Sequence, residues 1–153
     1  MAEVDPRTPA RILVVEDEAE VCELLWKVLT RAGHDVVTAA SGEAGLEVLS
    51  LGPVACLVVD KRLPGLGGLE VMAEARRRQP GLPVVLVTAH PEPFSLGDER
   101  PDAVLGKPFK SLAAVEDAVR AAIDARPPGP LSELRERVAA VVAEIAPGRR
   151  KRE

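Results

Sequence analysis

The chain has 153 residues, 46% of them hydrophobic, with 20 Lys/Arg against 24 Asp/Glu and a net charge of −4. That length suits one domain of ordinary size plus a short addition, and the apolar share suffices for a sizeable core. The opening Met-Ala-Glu-Val-Asp-Pro-Arg lacks the basic start and apolar stretch of a signal peptide, and no run approaches the ~18 apolar residues of a membrane span, so a cytoplasmic protein is expected.

Charge is unevenly placed. Residues 126–153 hold seven Lys/Arg and four Asp/Glu, which leaves 13 Lys/Arg against 20 Asp/Glu, a net −7, on residues 1–125. An acidic body offers no footprint for phosphate backbones. With Trp26, Phe94 and Phe109 as the only aromatic residues, stacking platforms for bases are missing too. No specific nucleic-acid partner and no membrane partner are expected.

After residues 1–10, read as a flexible N-terminus, strand-like runs at 11–15, 34–39, 54–59, 82–87 and 102–105 alternate with helical segments at 18–32, 42–50, 67–79 and 110–125. The first helix places Val21, Leu24, Leu25, Val28 and Leu29 at helical spacing and stops at Gly33. Ser41 caps the second helix, and Gly67-Gly68 leads into a third that ends before Pro80. Cys22 falls in a helix and Cys56 in a buried strand, so both read as small core residues rather than a disulfide or metal pair. Such alternation calls for an α/β fold: a flavodoxin-like, doubly wound, five-stranded parallel sheet in the order 2-1-3-4-5. Ligands of open α/β sheets bind at the carboxyl ends of the strands.

Four strand ends carry complementary chemistry. Ile12-Leu13-Val14-Val15 ends in Glu16-Asp17, and Val54-Ala55-Cys56-Leu57-Val58-Val59 in Asp60. Val84-Val85-Leu86-Val87 ends in Thr88-Ala89, and Asp102-Ala103-Val104-Leu105-Gly106 in Lys107-Pro108. Singly, each residue has an ordinary reading: a turn Asp, a β-forming Thr, an acidic first helical turn over residues 16–18, a solvated Lys. Jointly, on four strand ends in order, those readings are improbable.

This pattern, over about Arg11 to Ala125, resembles the receiver domain of two-component response regulators, as in chemotaxis receivers. The resemblance implies that Asp60 accepts a phosphoryl group from a histidine kinase or phosphotransfer protein with Mg²⁺ bound. Asp17 and Asp60 would ligate the metal directly, Glu16 through water, and Arg62 through its backbone carbonyl. Oxygen ligands of this kind suit Mg²⁺. Lys107 would supply positive charge to the phosphoryl oxygens and Thr88 a hydroxyl donor, with Pro108 after a cis peptide. In receivers, positions two beyond the Asp and two beyond the Thr tune the acyl phosphate lifetime. Here these are Arg62 and His90, next to Ala89, and both are expected to hinder an attacking water.

The chain also departs from that family. Val104 stands where receivers carry a switching aromatic residue. Residues 90–101 hold three prolines and a glycine, so the fourth helix is expected to be degenerate. Phe94 would act there either as a substitute moving ring or, the favoured reading, as an apolar anchor of the loop.

Residues 126–130, Arg-Pro-Pro-Gly-Pro, read as a stiff linker. Leu131, Leu134, Val138, Val141 and Ile145 then form the apolar seam of an extra amphipathic helix over 131–146, followed by a basic tail at 147–153. That helix would pack on its own receiver, on a second copy as a homodimer, or on a partner. The 28 residues beyond 125 leave no room for a helix-turn-helix output domain. The expected function is a stand-alone receiver, not a conventional enzyme, that signals to a downstream protein target. The alternative is an interaction module that keeps the pocket and works without phosphorylation.

Overall fold

The computed structural model describes residues 11–89 and 100–125. In chain order these form β1 (Arg11–Val15), α1 (Ala19–Arg31), β2 (Asp35–Ala39), α2 (Gly42–Ser50), β3 (Cys56–Asp60), α3 (Gly68–Arg78), β4 (Val84–Thr88), β5 (Ala103–Gly106) and α4 (Leu112–Ala125). The five strands make one parallel sheet in the order β2-β1-β3-β4-β5. This is the doubly wound, flavodoxin-like arrangement that the alternation predicts. No helix among the described residues is long and apolar enough to cross a membrane.

Strand side chains alternate between faces, so a sheet covered on both sides needs continuous apolar strands. Ile12, Val14, Cys56, Val58, Val85 and Val87 pack with Leu25 and Leu29 of α1 and Val115 and Val119 of α4. Leu13, Val15, Leu57, Val59, Val84 and Leu86 point to the other face and pack with Val71, Met72 and Ala75 of α3. Burial of each large side chain contributes on the order of 2 kcal/mol. Cys22 and Cys56 are free thiols in this packing, as expected, with Cys56 fully buried and its pKa pushed up to about 12 by that burial.

Helix ends follow local chemistry. Gly33, at φ +98°, takes the left-handed conformation that closes α1. Ser41 Oγ accepts from Ala44 N–H at 3.1 Å, and the Glu70 carboxylate accepts from Gly67 N–H at 3.2 Å.

Several boundaries differ from those the sequence suggested. The expected strands 54–59, 82–87 and 102–105 become Cys56–Asp60, Val84–Thr88 and Ala103–Gly106. The cause is the ladder: Lys61 N–H donates to Val87 C=O at 2.8 Å and Lys107 N–H to Thr88 C=O at 2.9 Å, which carries pairing through Asp60 and Thr88. Helices expected to open at 18, 67 and 110 begin at Ala19, Gly68 and Leu112, because the preceding residues act as caps or turns. The expected flexible N-terminus, degenerate fourth helix with His90 and Phe94, stiff linker, 131–146 helix and basic tail lie outside the described residues.

One buried ion pair ties the far side of the fold together. Arg76 on α3 donates to Asp102 Oδ2 at 2.8 Å, to Leu82 C=O at 3.1 Å and to Arg100 C=O. Asp102 Oδ2 also accepts from Val84 N–H at 2.9 Å, so this network joins α3, the start of β4 and the entry to β5. The two side chains are only 8% and 9% exposed. Removing one partner strands a buried charge, so Arg76→Ala is expected to lower the unfolding free energy by about 3–5 kcal/mol in urea denaturation. A loss below about 1 kcal/mol, the value of a surface pair, would contradict this role.

Candidate functional site

Parallel register places the predicted residues on one edge of the sheet. Val15 pairs with Val59, so Glu16 and Asp60 follow side by side; Asp60 pairs with Val87, and Thr88 with Gly106 just before Lys107. Glu16 is 1% exposed, Thr88 2% and Asp60 5%, while Asp17 is exposed. Buried carboxylates at this density need partners.

Lys107 supplies the charge. Its Nζ lies 2.8 Å from Glu18 Oε1, 2.9 Å from Asp60 Oδ2 and 3.1 Å from Glu16 Oε1. The contacts to Glu18 and Asp60 are well-angled hydrogen bonds. The contact to Glu16 is an ion pair only, and Glu16 Oε1 is buried with no hydrogen-bond donor. Glu16 Oε2 accepts from Glu18 N–H at 3.1 Å. Burial, aided by neighbouring Asp60, pushes the Glu16 carboxyl up to about 7 against the lowering pull of the Glu18 amide and Lys107. Burial also works against the Lys107 ammonium, but the hydrogen bonds it donates to Glu18 and Asp60, with the charge of Glu16 beside it, outweigh that and hold its pKa above the ordinary lysine value.

Asp60 is held at both oxygens, since its Oδ1 accepts from Arg62 N–H at 3.0 Å. The Arg62 backbone is thereby folded against the carboxylate, while the residue as a whole is exposed. The turn depends on Gly68 at the start of α3. A Cβ there would stand 2.0 Å from the Asp60 carbonyl oxygen, so only glycine lets α3 approach the end of β3. Lys107–Pro108 is cis, as the family resemblance implies.

Carboxylate oxygens of Glu16, Asp17 and Asp60 lie within 4.8 Å of one another. This all-oxygen donor set, with a buried Glu16 oxygen that receives no hydrogen bond, fits a hard divalent cation such as Mg²⁺. Beside it a cavity of about 440 Å³ is walled by Cys22, Trp26 and Thr38. Of the remaining predicted positions, Ala89 is exposed just beyond β4, and Val104 is 44% exposed on β5. The sequence reading missed two residues. In the sequence Glu18 reads only as part of an acidic first turn, and no spacing rule links it to Lys107, 89 residues away. Gly68 appeared as a helix lead-in, although its pairing with Gly67 did signal close backbone approach.

Comparison with known proteins agrees with this geometry. Residues 12–116 match the family model of the response regulator receiver domain. The transcriptional regulatory protein GlrR of Escherichia coli is 36% identical over 117 residues, which is 72% of this chain and 26% of that protein. This chain therefore spans about a quarter of that curated relative's length. Among solved structures, a CheY-like receiver domain protein from Methanospirillum hungatei superposes with a TM-score of 0.70 at 25% identity, covering 76% of this chain and 95% of the other. The response regulator TrrA of Thermotoga maritima, solved in complex with Mg²⁺-BeF, gives a TM-score of 0.61 at 28% identity over 86% of this chain and 98% of its own. Sheet order, register and the match over most of the described residues converge, and the chain belongs to the response regulator receiver domains.

Proposed function

We propose that this chain is a stand-alone receiver, phosphorylated on Asp60 by a histidine kinase or phosphotransfer protein in a Mg²⁺-dependent reaction, that signals through protein contacts. The observation carrying this reading is the Asp60 carboxylate at the carboxyl end of the central strand β3, 2.9 Å from Lys107 Nζ and clustered with Glu16 and Asp17. In the transfer, an Asp60 oxygen forms a bond to phosphorus as the phosphorus–nitrogen bond of a phosphohistidine breaks. The electron pair stays on the imidazole nitrogen. Asp17, Asp60 and the Arg62 carbonyl would hold Mg²⁺, with Glu16 assisting through water, and the ion would supply positive charge for the crowded carboxylates and the incoming phosphoryl oxygens.

The chain's own residues do the rest. Lys107 fixes a compact positive charge against the phosphoryl group, and Thr88 offers a hydroxyl at the adjacent strand end. Arg62 and His90, two positions beyond Asp60 and Thr88, would hinder a water attacking the acyl phosphate, with Ala89 between Thr88 and His90. The receiver body spans 11–125. The flanks at 1–10, 126–130, 131–146 and 147–153 are accessory, and the amphipathic sequence of 131–146 would serve a homodimer or partner. The acidic body favours a protein target over DNA, and two free thiols suit a reducing cytoplasm. A second reading, an interaction module independent of phosphorylation, is favoured by Val104, which presents no ring or hydroxyl to switch.

Incubation with acetyl phosphate and Mg²⁺, followed by intact mass, is expected to show one phosphoryl adduct that chelation or Asp60→Ala abolishes. Lys107→Met should slow its appearance on the order of 10²-fold. A folded protein that takes no phosphoryl group from either acetyl phosphate or a histidine kinase would favour the interaction module.

Metal binding has its own readout in Trp26, the chain's single tryptophan, which walls the cavity beside Glu16 and Asp17. Thermal melts followed by its fluorescence should rise with Mg²⁺, by about 2.7 kcal/mol of stability at a hundredfold excess over Kd. Asp17→Asn should lose most of that gain. Equal stabilisation of both proteins would place the ion elsewhere.

A further inference from the structure

Lys107 is shared by three carboxylates of unequal standing. Glu16 and Asp60 are buried and fixed by backbone amides, whereas the Glu18 side chain is 61% exposed and approaches the ammonium from solvent at 2.8 Å. Glu18 is also the N-cap residue of α1, yet its side chain makes no capping bond. Its carboxylate is instead committed to the ammonium, on the solvent side of the pocket.

Resting on the assignment of Asp60 as phosphoryl acceptor, we propose that Glu18 is a built-in competitor for the incoming phosphoryl group, a positioning residue that occupies the outward donor of Lys107 and sets the rate of phosphoryl entry. An ammonium has three donors and no acceptor. With Asp60 holding one and Glu16 crowding a second, the donor on Glu18 is the one that an entering phosphoryl oxygen can claim. Glu18 gives way most cheaply because its carboxylate can return to water, while Glu16 and Asp60 cannot. Until it does, it adds a negative charge at the mouth of a pocket already holding Glu16, Asp17 and Asp60. A doubly negative donor meets more of that repulsion than a singly negative one.

The test uses the full chain at saturating Mg²⁺, with wild type, Glu18→Gln and Glu18→Asp. Acetyl phosphate is the more negative donor and phosphoramidate the less negative one. With acetyl phosphate, Asp60 oxygen bonds to phosphorus and acetate leaves with the electron pair, so adduct mass gives the rate directly. Glu18→Gln should accelerate this by roughly three- to tenfold at low salt, with a smaller gain for phosphoramidate and a shrinking gain as salt rises. Glu18→Asp, which keeps the charge at the pocket mouth, should stay near the wild-type rate. Equal acceleration by both substitutions, or none by Glu18→Gln, would overturn the proposal. A second arm needs no phosphorylation: hydrogen exchange of the Lys107 ammonium, read by ¹⁵N NMR, should quicken in Glu18→Gln, and unchanged exchange would overturn the pairing. A wild type that takes no phosphoryl group from either donor contradicts the Asp60 assignment instead, and the exchange arm still decides the role of Glu18.

Discussion

The structure turns on one ammonium placed among carboxylates that could not be buried without it. Glu16 and Asp60 end two adjacent central strands and are almost fully buried, a placement that strongly disfavours ionised groups unless they are paired. Lys107 reaches both, and Glu18 besides. One positive charge among so many acids leaves the pocket undercompensated, and the buried Glu16 oxygen that pairs with Lys107 but receives no hydrogen bond shows where. Such a set of undercompensated oxygen donors is one that a hard divalent cation would fit.

Everything around the pocket serves to hold those charges in place. Both faces of the sheet are sealed by apolar residues alternating along every central strand, so the strand ends cannot shift independently. Gly68 lets α3 start against the Asp60 carbonyl, and the Arg62 amide returns to hold the Asp60 carboxylate. On the far side, Arg76 and Asp102 fasten α3 to the entries of β4 and β5. That fastening gives β5, and Lys107 beyond it, a fixed starting point.

Much of this was legible in the sequence because it rests on local patterns. Continuous apolar runs separated by amphipathic segments suffice for a parallel sheet, and its order puts Glu16, Asp17, Asp60, Thr88 and Lys107 on one edge. Boundaries were less legible: whether Asp60 and Thr88 end the strand or follow it depends on hydrogen bonds from Lys61 and Lys107 to the neighbouring strand. Long-range pairings left no trace at all. Neither the Glu18–Lys107 contact nor the Arg76–Asp102 network has a spacing or composition signature, since each joins side chains brought together only by the completed fold.

The most direct test of the central claim locates the bond itself. Protein treated with acetyl phosphate and Mg²⁺ is reduced with borohydride, which converts an aspartyl phosphate to homoserine, and the peptides are sequenced by mass spectrometry. Homoserine at position 60, absent when metal is chelated, is the predicted result. Homoserine at another carboxylate, or none in a chain that carries a phosphoryl adduct, would contradict the assignment of Asp60 as the acceptor.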